Sequence, residues 1–483
     1  MALLDVLLEY PLTTLFVLST GLLFSRCIYH LAFHPIAHIP GPFLAKITSL
    51  WLYYHAYIGD EATIIHKAHT EYGPYVRVSP NEVDISDADA MAPIYVSKGG
   101  FLKAPCYANF DIDGHKTIFS ATDVEHRARR AKAVVPMFST KSIRENEAAL
   151  YGCADRMVDR MEEEARTGRP VNILNIARSL AVDAVSTHLF QENYNGTSEK
   201  GPRLSVSAFV DAFVAVGRFF YLPTKVFIWL EWTIEKCMPD EHTATSMEVV
   251  DKFVDNLVDQ TPAGSSSYPG RLIPLVERLE VKAQCKDLIF AGTDSTGMNF
   301  ATLCRQMALN PDKYEVLRKE ILDNANAGEK KQDVQALPYL SAVVRESLRI
   351  SMANPTRLPH VVPDSGWTFK GTNFPAGTIV GCSAHELHFN EEVFPDPFSF
   401  YPERWLQENP EATKAFFAFG AGSRACIARN LATFELYMGA ERLVERDVLR
   451  GARACQEKVE IYEWFNSSVK GEKIELVWEK PRV

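Results

Sequence analysis

Residues 10–25 carry no charge and are almost wholly apolar, and after Arg26 the apolar run resumes over residues 28–33. Sixteen residues of helix span about 24 Å, short of a hydrocarbon core about 30 Å thick. With residues 28–33 added and Arg26 snorkelling, the stretch predicts one membrane-spanning helix. Asp5 and Glu9 before it, and no small-residue cleavage site after it, argue against a removed leader. Acid ahead of the span, with Arg26 and Lys46 behind, predicts that the rest faces the cytosol. His38-Ile39-Pro40-Gly41-Pro42 cannot continue a helix and reads as a stiff hinge holding the main domain at a fixed angle. Beyond it, residues 75–80 and 82–86 alternate apolar and polar with turn residues between, predicting a small antiparallel hairpin. Helical periodicity dominates from about residue 120 to 350. A strand-rich patch comes next at 359–380, with Gly371 and Gly377 at turns, and short strand-like runs lie at 459–461 and 474–478. Residues 261–270 (TPAGSSSYPG) read as a surface loop, and no internal repeat is visible. The pattern predicts a mainly α fold with a minor β-sheet portion: an anchor over 1–33, a proline-rich hinge over 34–46, and one large domain over 47–483.

Composition narrows the setting. With 483 residues, 47% hydrophobic and 11% aromatic, the chain has material for a large core. A net charge of −10 and a pI near 5.8 argue against nucleic acid as a partner. Nine cysteines without C-x-x-C pairs or regular spacing argue against a disulfide framework or a zinc site, and fit reduced thiols facing the cytosol.

Candidate chemistry appears where the sequence breaks its own pattern. Residues 286–299 lie in a helical stretch, yet include Gly292, Gly297, Asp294 and several hydroxyls, all poor choices in mid-helix. Either a core helix kinks here, or the helix opens a groove, with Gly292 removing bulk for a small molecule and Asp294 and Ser295 delivering protons to it. Glu346 and Arg349, at i,i+3, share a helix face; an exposed pair is one reading, and a structural network joined by Arg404 from the proline-rich segment 394–405 is the other. His126 and Arg130 share a face of a helix opened by Thr122-Asp123, and with Arg357 they suit carboxylate recognition. Cys426 sits in Phe419-Gly420-Ala421-Gly422-Ser423-Arg424-Ala425-Cys426, a glycine-rich turn feeding a helix. Backbone N–H groups, Arg424 and a helix N-terminus would all stabilise a thiolate, a seat for one anionic sulfur ligand to haem iron. The same turn matches G-x-G-x-x-A, a dinucleotide fingerprint, but too little chain remains for the parallel strands that reading needs. A small buried hydrophobe is the third reading of the cysteine.

Together these residues resemble the cytochrome P450 family. Its F-x-x-G-x-R-x-C-x-G signature matches at Phe419, Gly422, Arg424 and Cys426, and its A/G-G-x-D/E-T-T/S helix at Ala291, Gly292, Asp294 and Thr296. Its E-x-x-R matches at Glu346 and Arg349, and its P-E-R-F/W at residues 402–405, in the expected order. The resemblance implies the P450 fold, haem b held through Cys426 as the iron ligand, and His126, Arg130, Arg357, Phe419 and Arg424 as cofactor-binding residues. It implies Asp294, Ser295 and Thr296 as the catalytic segment, with Glu346, Arg349 and Arg404 structural. The implied reaction inserts one oxygen atom from O₂ into a lipophilic substrate, with electrons from NADPH through NADPH-cytochrome P450 reductase. Arg127, Arg129 and Lys132 would contribute to that docking surface. Pocket contacts would fall at 101–119, 209–227, 290–296 and 352–356. Two departures stand out: Ser295 for the usual threonine, implying a working but leakier relay, and Ala428 for the last signature glycine. The style is most like filamentous-fungal, endoplasmic-reticulum members acting on terpenoid or polyketide intermediates of secondary metabolism. Two rivals share the haem: a rearrangement enzyme that does not use O₂, and a non-enzymatic membrane haem carrier.

Overall fold

The computed structural model describes residues 11–201, 203–238 and 240–478. Residues 1–10 of the expected anchor, with Asp5 and Glu9, lie outside the described residues, as do 479–483. The apolar helix Leu12–Phe33 has 22 residues, and none of its apolar window is buried inside the protein. At 1.5 Å per residue it rises about 33 Å, enough for a bilayer core of about 30 Å with Arg26 inside the span.

The chain after this helix is docked. Ile36 and Ile39 are buried, and the Arg77 backbone N–H donates to Pro40 O at 2.7 Å. The Arg77 guanidinium, fully buried, donates to the carbonyl oxygens of His30 (2.9 Å) and Pro80 (2.6 and 3.1 Å). At Gly41 a Cβ would stand 2.4 Å from Arg77 O, so only glycine lets the two segments meet. The stiffness expected from the prolines is thus reinforced by packing against the sheet.

Tyr75–Ser79 and Glu82–Ile85 form the expected hairpin, with Tyr75 opposite Ile85 and Arg77 opposite Val83. Ile379–Gly381 adds in parallel to Glu82–Ile85, and His360–Val361 and Leu102–Lys103 complete a five-stranded sheet. The predicted patch at 359–380 therefore divides: its ends join this sheet, while Trp367–Phe369 and Thr372–Phe374 make a separate hairpin. Near the C-terminus Glu475–Trp478 lies between Val171–Asn172 and Ala452–Ala454, and the run expected at 459–461 is displaced to Ile461–Tyr462, paired with Ser468–Val469.

The core forms around the helix Arg278–Leu309, whose 32 residues cross the domain and are buried on most sides. A helix surrounded by protein needs no amphipathic stripe. Its closest neighbour is Ile173–Val185, in which every residue is buried. The two glycines explain the approach. A Cβ on Gly292 would lie 2.6 Å from Val185 Cγ2, and one on Gly297 2.6 Å from Arg178 Cγ. Gly292 borders the internal cavity, but the expectation that it hollows a groove is corrected: both glycines serve helix–helix contact.

Candidate functional site

A fully buried charge network supports the Cys426 turn from behind. The helix Pro338–Ile350 presents Glu346 and Arg349 on one face, and Arg349 Nε and Nη2 donate to the Glu346 carboxylate at 2.9 and 2.8 Å. Arg404 Nε (3.1 Å), Trp405 Nε1 (2.8 Å) and the Tyr401 N–H (3.0 Å) donate to the same carboxylate. Both members of the pair have zero exposure, so this is not a surface ion pair, and only such a set of donors makes a buried carboxylate tolerable. His388, unremarked in the sequence, carries the network forward. Its Nδ1–H donates to Arg349 O (3.1 Å), and its Nε2 accepts from the Phe417 N–H (2.8 Å). Burial, then the Arg349 charge, pushes its pKa down to about 3, the neutral state that accepting this bond requires.

Phe417 opens the turn itself. Gly420 and Gly422 have φ of +65° and +66°, and a Cβ on Gly422 would stand 1.8 Å from Tyr95 O. The Cys426 N–H donates to Phe419 O at 2.8 Å, and the helix Arg429–Glu445 begins just behind. Ala428 caps that helix at φ −93°, which an L-residue adopts freely, so the departure from glycine is accommodated. Cys426 is exposed only to an internal cavity that it lines. Burial raises its thiol pKa, while a hydrogen bond from the Ala428 N–H and the Arg429 charge act the other way. The expectation that Arg424 favours the thiolate is corrected: Arg424 Nη1 donates to Ala121 O (2.9 Å), and Arg429 is the arginine that acts on the sulfur.

Ser295 and Thr296 line the same cavity; Asp294 does not. Arg178 Nη2 donates to Asp294 Oδ1 at 2.7 Å, and Arg178 Nη1 to Asp211 at 2.9 Å. Asp211 in turn accepts from Arg203, which reaches Glu472 at 2.6 Å where both are half exposed. Burial raises the Asp294 pKa, and Arg178 opposes the rise. Asn466, which lines the cavity, also opposes that rise from close by. The Ser295 hydroxyl donates to Ala291 O (2.9 Å), a bond back to the preceding turn, leaving its oxygen as an acceptor. Arg178 and Asn466 were not foreseen, because nothing local in the sequence marks them.

The cationic side of the cavity differs from expectation in detail. Arg357 is fully buried with Nη2 on Glu82; its Nε and Nη1 have no partner among the described residues, although flanking Thr356 and Leu358 line the cavity. His126 Nε2 is also buried and unpartnered. Arg130 is committed to Glu280 through Nε and Nη2 and to His126 O (2.9 Å), and neither Arg130 nor His126 lines the cavity. Arg127, expected on an outer docking surface, lines the interior, while Arg129 and Lys132 stay exposed. Lys103, not singled out beforehand, is buried in the same wall and donates to Phe119 O at 2.7 Å. Unsatisfied guanidinium N–H groups beside Arg424, Arg127 and Lys103 are what two buried carboxylates need, and a lone sulfur opening onto an aromatic-lined cavity is what a single iron ligand needs. These residues fit a haem.

Comparison with known proteins agrees. The family model for Cytochrome P450 matches residues 42–446. The chain is 37% identical over 500 aligned positions to the cytochrome P450 monooxygenase mfmF of Annulohypoxylon moriforme, covering 97% of this chain and 99% of that protein. It is 28% identical to the cytochrome P450 monooxygenase BOT1 of Botryotinia fuckeliana (85% and 84% covered), and 29% identical to the fusicoccadiene C-8 hydroxylase of Alternaria brassicicola (87% and 85% covered). On the fold, the site and these matches, the chain belongs to the cytochrome P450 family, monooxygenases that bind haem b iron and draw electrons indirectly from NADPH.

Proposed function

We propose that the chain is a membrane-anchored monooxygenase that inserts one oxygen atom from O₂ into a lipophilic terpenoid or polyketide intermediate of fungal secondary metabolism. The observation that carries this reading is one apolar cavity lined by both the Cys426 sulfur and Ser295, with Asp294 next to Ser295 held by Arg178. Bound haem supplies the O₂-binding iron and the one-electron chemistry. The protein's part is positional. Cys426 gives up its proton to ligate, with Ala428 and Arg429 holding the negative sulfur. Asp294, Ser295 and Thr296 would hold and pass protons, Ser295 and Thr296 from the cavity lining and Asp294 from just behind it. Arg424, Arg127 and Lys103 in the cavity lining would hold propionates with Phe419 beside them, joined by Arg357 and His126, whose buried nitrogens lack partners among the described residues although neither lines the cavity, while Arg130 stays on Glu280. Ile118, Phe119, Leu288 and Phe290 exclude water from the space above.

NADPH-cytochrome P450 reductase is the proposed electron donor, docking near exposed Arg129 and Lys132. The division into anchor (1–33), hinge (34–46) and catalytic domain (47–483) goes with placement at the endoplasmic reticulum, the domain in the cytosol. Ile228, Trp229 and Trp232 on the helix Thr224–Cys237, like Phe43 and Leu44 beside the hinge, are exposed apolar side chains suited to the lipid surface. The test is turnover with reductase, NADPH and ¹⁸O₂ over a panel of terpenoid and polyketide intermediates. One ¹⁸O atom per product supports the proposal. Product formed without NADPH or label supports rearrangement, and no product with any ligand that binds supports a carrier.

A further inference from the structure

Several polar groups in the cavity wall, Ser295, Arg424 and Cys426 among them, have a task in holding haem or moving protons. Asp287 does not. It lies on the central helix in register with Ala291 and Ser295, one and two i,i+4 steps away, and all three line the cavity. It is 8% exposed, in a stretch of wall shared with Ile118, Phe119, Leu288, Phe290 and the buried Lys103. A carboxyl in such surroundings is costly unless something uses it.

One use would be structural: Thr117 acts on Asp287 from close by, and the pair could help hold the segment that crosses the helix. That segment is already held from the preceding turn, because Gln284 accepts from the Ile118 N–H (3.0 Å) and donates to Lys116 O (3.0 Å). Thr117 is also paired with Ser120 in both directions. A carboxyl has about four lone-pair sites, so Thr117 leaves acceptor capacity facing the cavity.

The charges nearby select what that capacity can take. Lys103 feels Asp287, Arg424 and Arg127, so an ammonium guest would meet three cations. A carboxylate guest would meet Asp287 itself. A neutral hydroxyl meets neither objection.

We infer that Asp287 is the hydroxyl-binding end of the substrate cavity, accepting the O–H of a lipophilic alcohol whose reacting carbon lies by Ser295, eight residues or about 12 Å along the helix axis. The inference rests on the monooxygenase reading for the position of the reacting carbon. It also orders the chemistry: a hydroxylating or hydrolytic step must precede this one, because the substrate arrives already carrying a hydroxyl.

The test compares farnesol with farnesyl methyl ether, which share a skeleton and differ in the O–H. Binding to the haem-loaded full chain is followed by the Soret shift and, independently of the iron, by equilibrium dialysis. Wild type is expected to bind the alcohol about tenfold or more tightly than the ether, the scale of one hydrogen bond to a charged or buried acceptor. Asp287→Leu should remove that preference while changing ether affinity less than about twofold, and Asp287→Asn, which keeps an acceptor oxygen, should retain most of it. Equal wild-type affinity for the two ligands, or equal weakening of both in Asp287→Leu, overturns the inference; if that variant folds poorly, the wild-type preference and Asp287→Asn decide. A reduced carbonyl spectrum with a band near 420 nm only would instead count against the monooxygenase reading, while dialysis still judges Asp287.

Discussion

Ser295 keeps the hydroxyl of the family's usual threonine but lacks the methyl group that restricts its rotamer. Its proton is given to Ala291 O, so it must swing to serve the cavity. Ser295→Thr is therefore expected to lower the fraction of NADPH lost as hydrogen peroxide, read by peroxide assay against product, and an unchanged or higher fraction would count against the relay. Asp294 behaves differently from a free acid because Arg178 holds it. Asp294→Asn should keep haem binding and slow turnover by about 10²-fold or more, the contribution usual for a positioned acid–base group. Arg178→Met leaves Asp294 buried without its cation, while Asp211 keeps Arg203, and should cost about 3–5 kcal/mol in denaturant unfolding. A loss under about 1 kcal/mol would show the triad to be better hydrated than its burial implies. Asp294 was legible as an acid in mid-helix. That Arg178 holds it outside the cavity lining was not, because Arg178 and Asn466 sit in unremarkable contexts and meet it only on folding.

Individual elements show the same division between local and distant information. The 75–85 hairpin was legible because alternation and its turn lie within a dozen residues, whereas its parallel partner Ile379–Gly381 leaves no local trace of the pairing. In the central helix the glycines marked an anomaly correctly, but their cause lies in the opposing face of Ile173–Val185. Gly297→Ala should therefore destabilise by about 1–3 kcal/mol through overpacking against Arg178, and a neutral result in thermal unfolding would return Gly297 to a mere kink. The link from Pro338–Ile350 to the cysteine turn has a pH signature. His388 titrates near 3 in the folded chain and near its ordinary 6.5 when unfolded, so the unfolded state binds more protons between those values. Stability is complete above about pH 6.5 and falls as pH drops toward 3, by about 2 kcal/mol between pH 6.5 and 5 from this residue alone. His360, also held near 3, adds to the same limb. His388→Gln should flatten that limb in urea titrations across pH. An unchanged slope would assign the acid lability elsewhere.

The whole molecule joins three surfaces: an apolar helix, a docked hinge, and a domain whose interior is built around one sulfur. Arg77 couples the first two to the sheet, so under the proposed anchoring the domain's tilt on a bilayer would be set by buried hydrogen bonds and not by a loose tether. Removal of residues 1–33 should leave measurable liposome binding, reduced further by Trp229→Ser with Trp232→Ser in a flotation assay; complete release by the truncation alone would mean those exposed tryptophans do not touch lipid. The fold class and the cysteine turn were readable from the chain because short, ordered motifs encode them. The cation set around the cavity was less so: helix periodicity does not say whether Arg127 or Arg130 turns inward, and Glu280, 150 residues away, decides it. All of these roles depend on Cys426 being the iron ligand, and the reduced carbonyl difference spectrum tests that ligation without needing a substrate. Wild type is expected to absorb near 450 nm, and Cys426→Ala to lose that band while Asp294→Asn retains it. A well-folded wild-type protein absorbing only near 420 nm, or a 450 nm band that survives Cys426→Ala, would rule out Cys426 as the ligand.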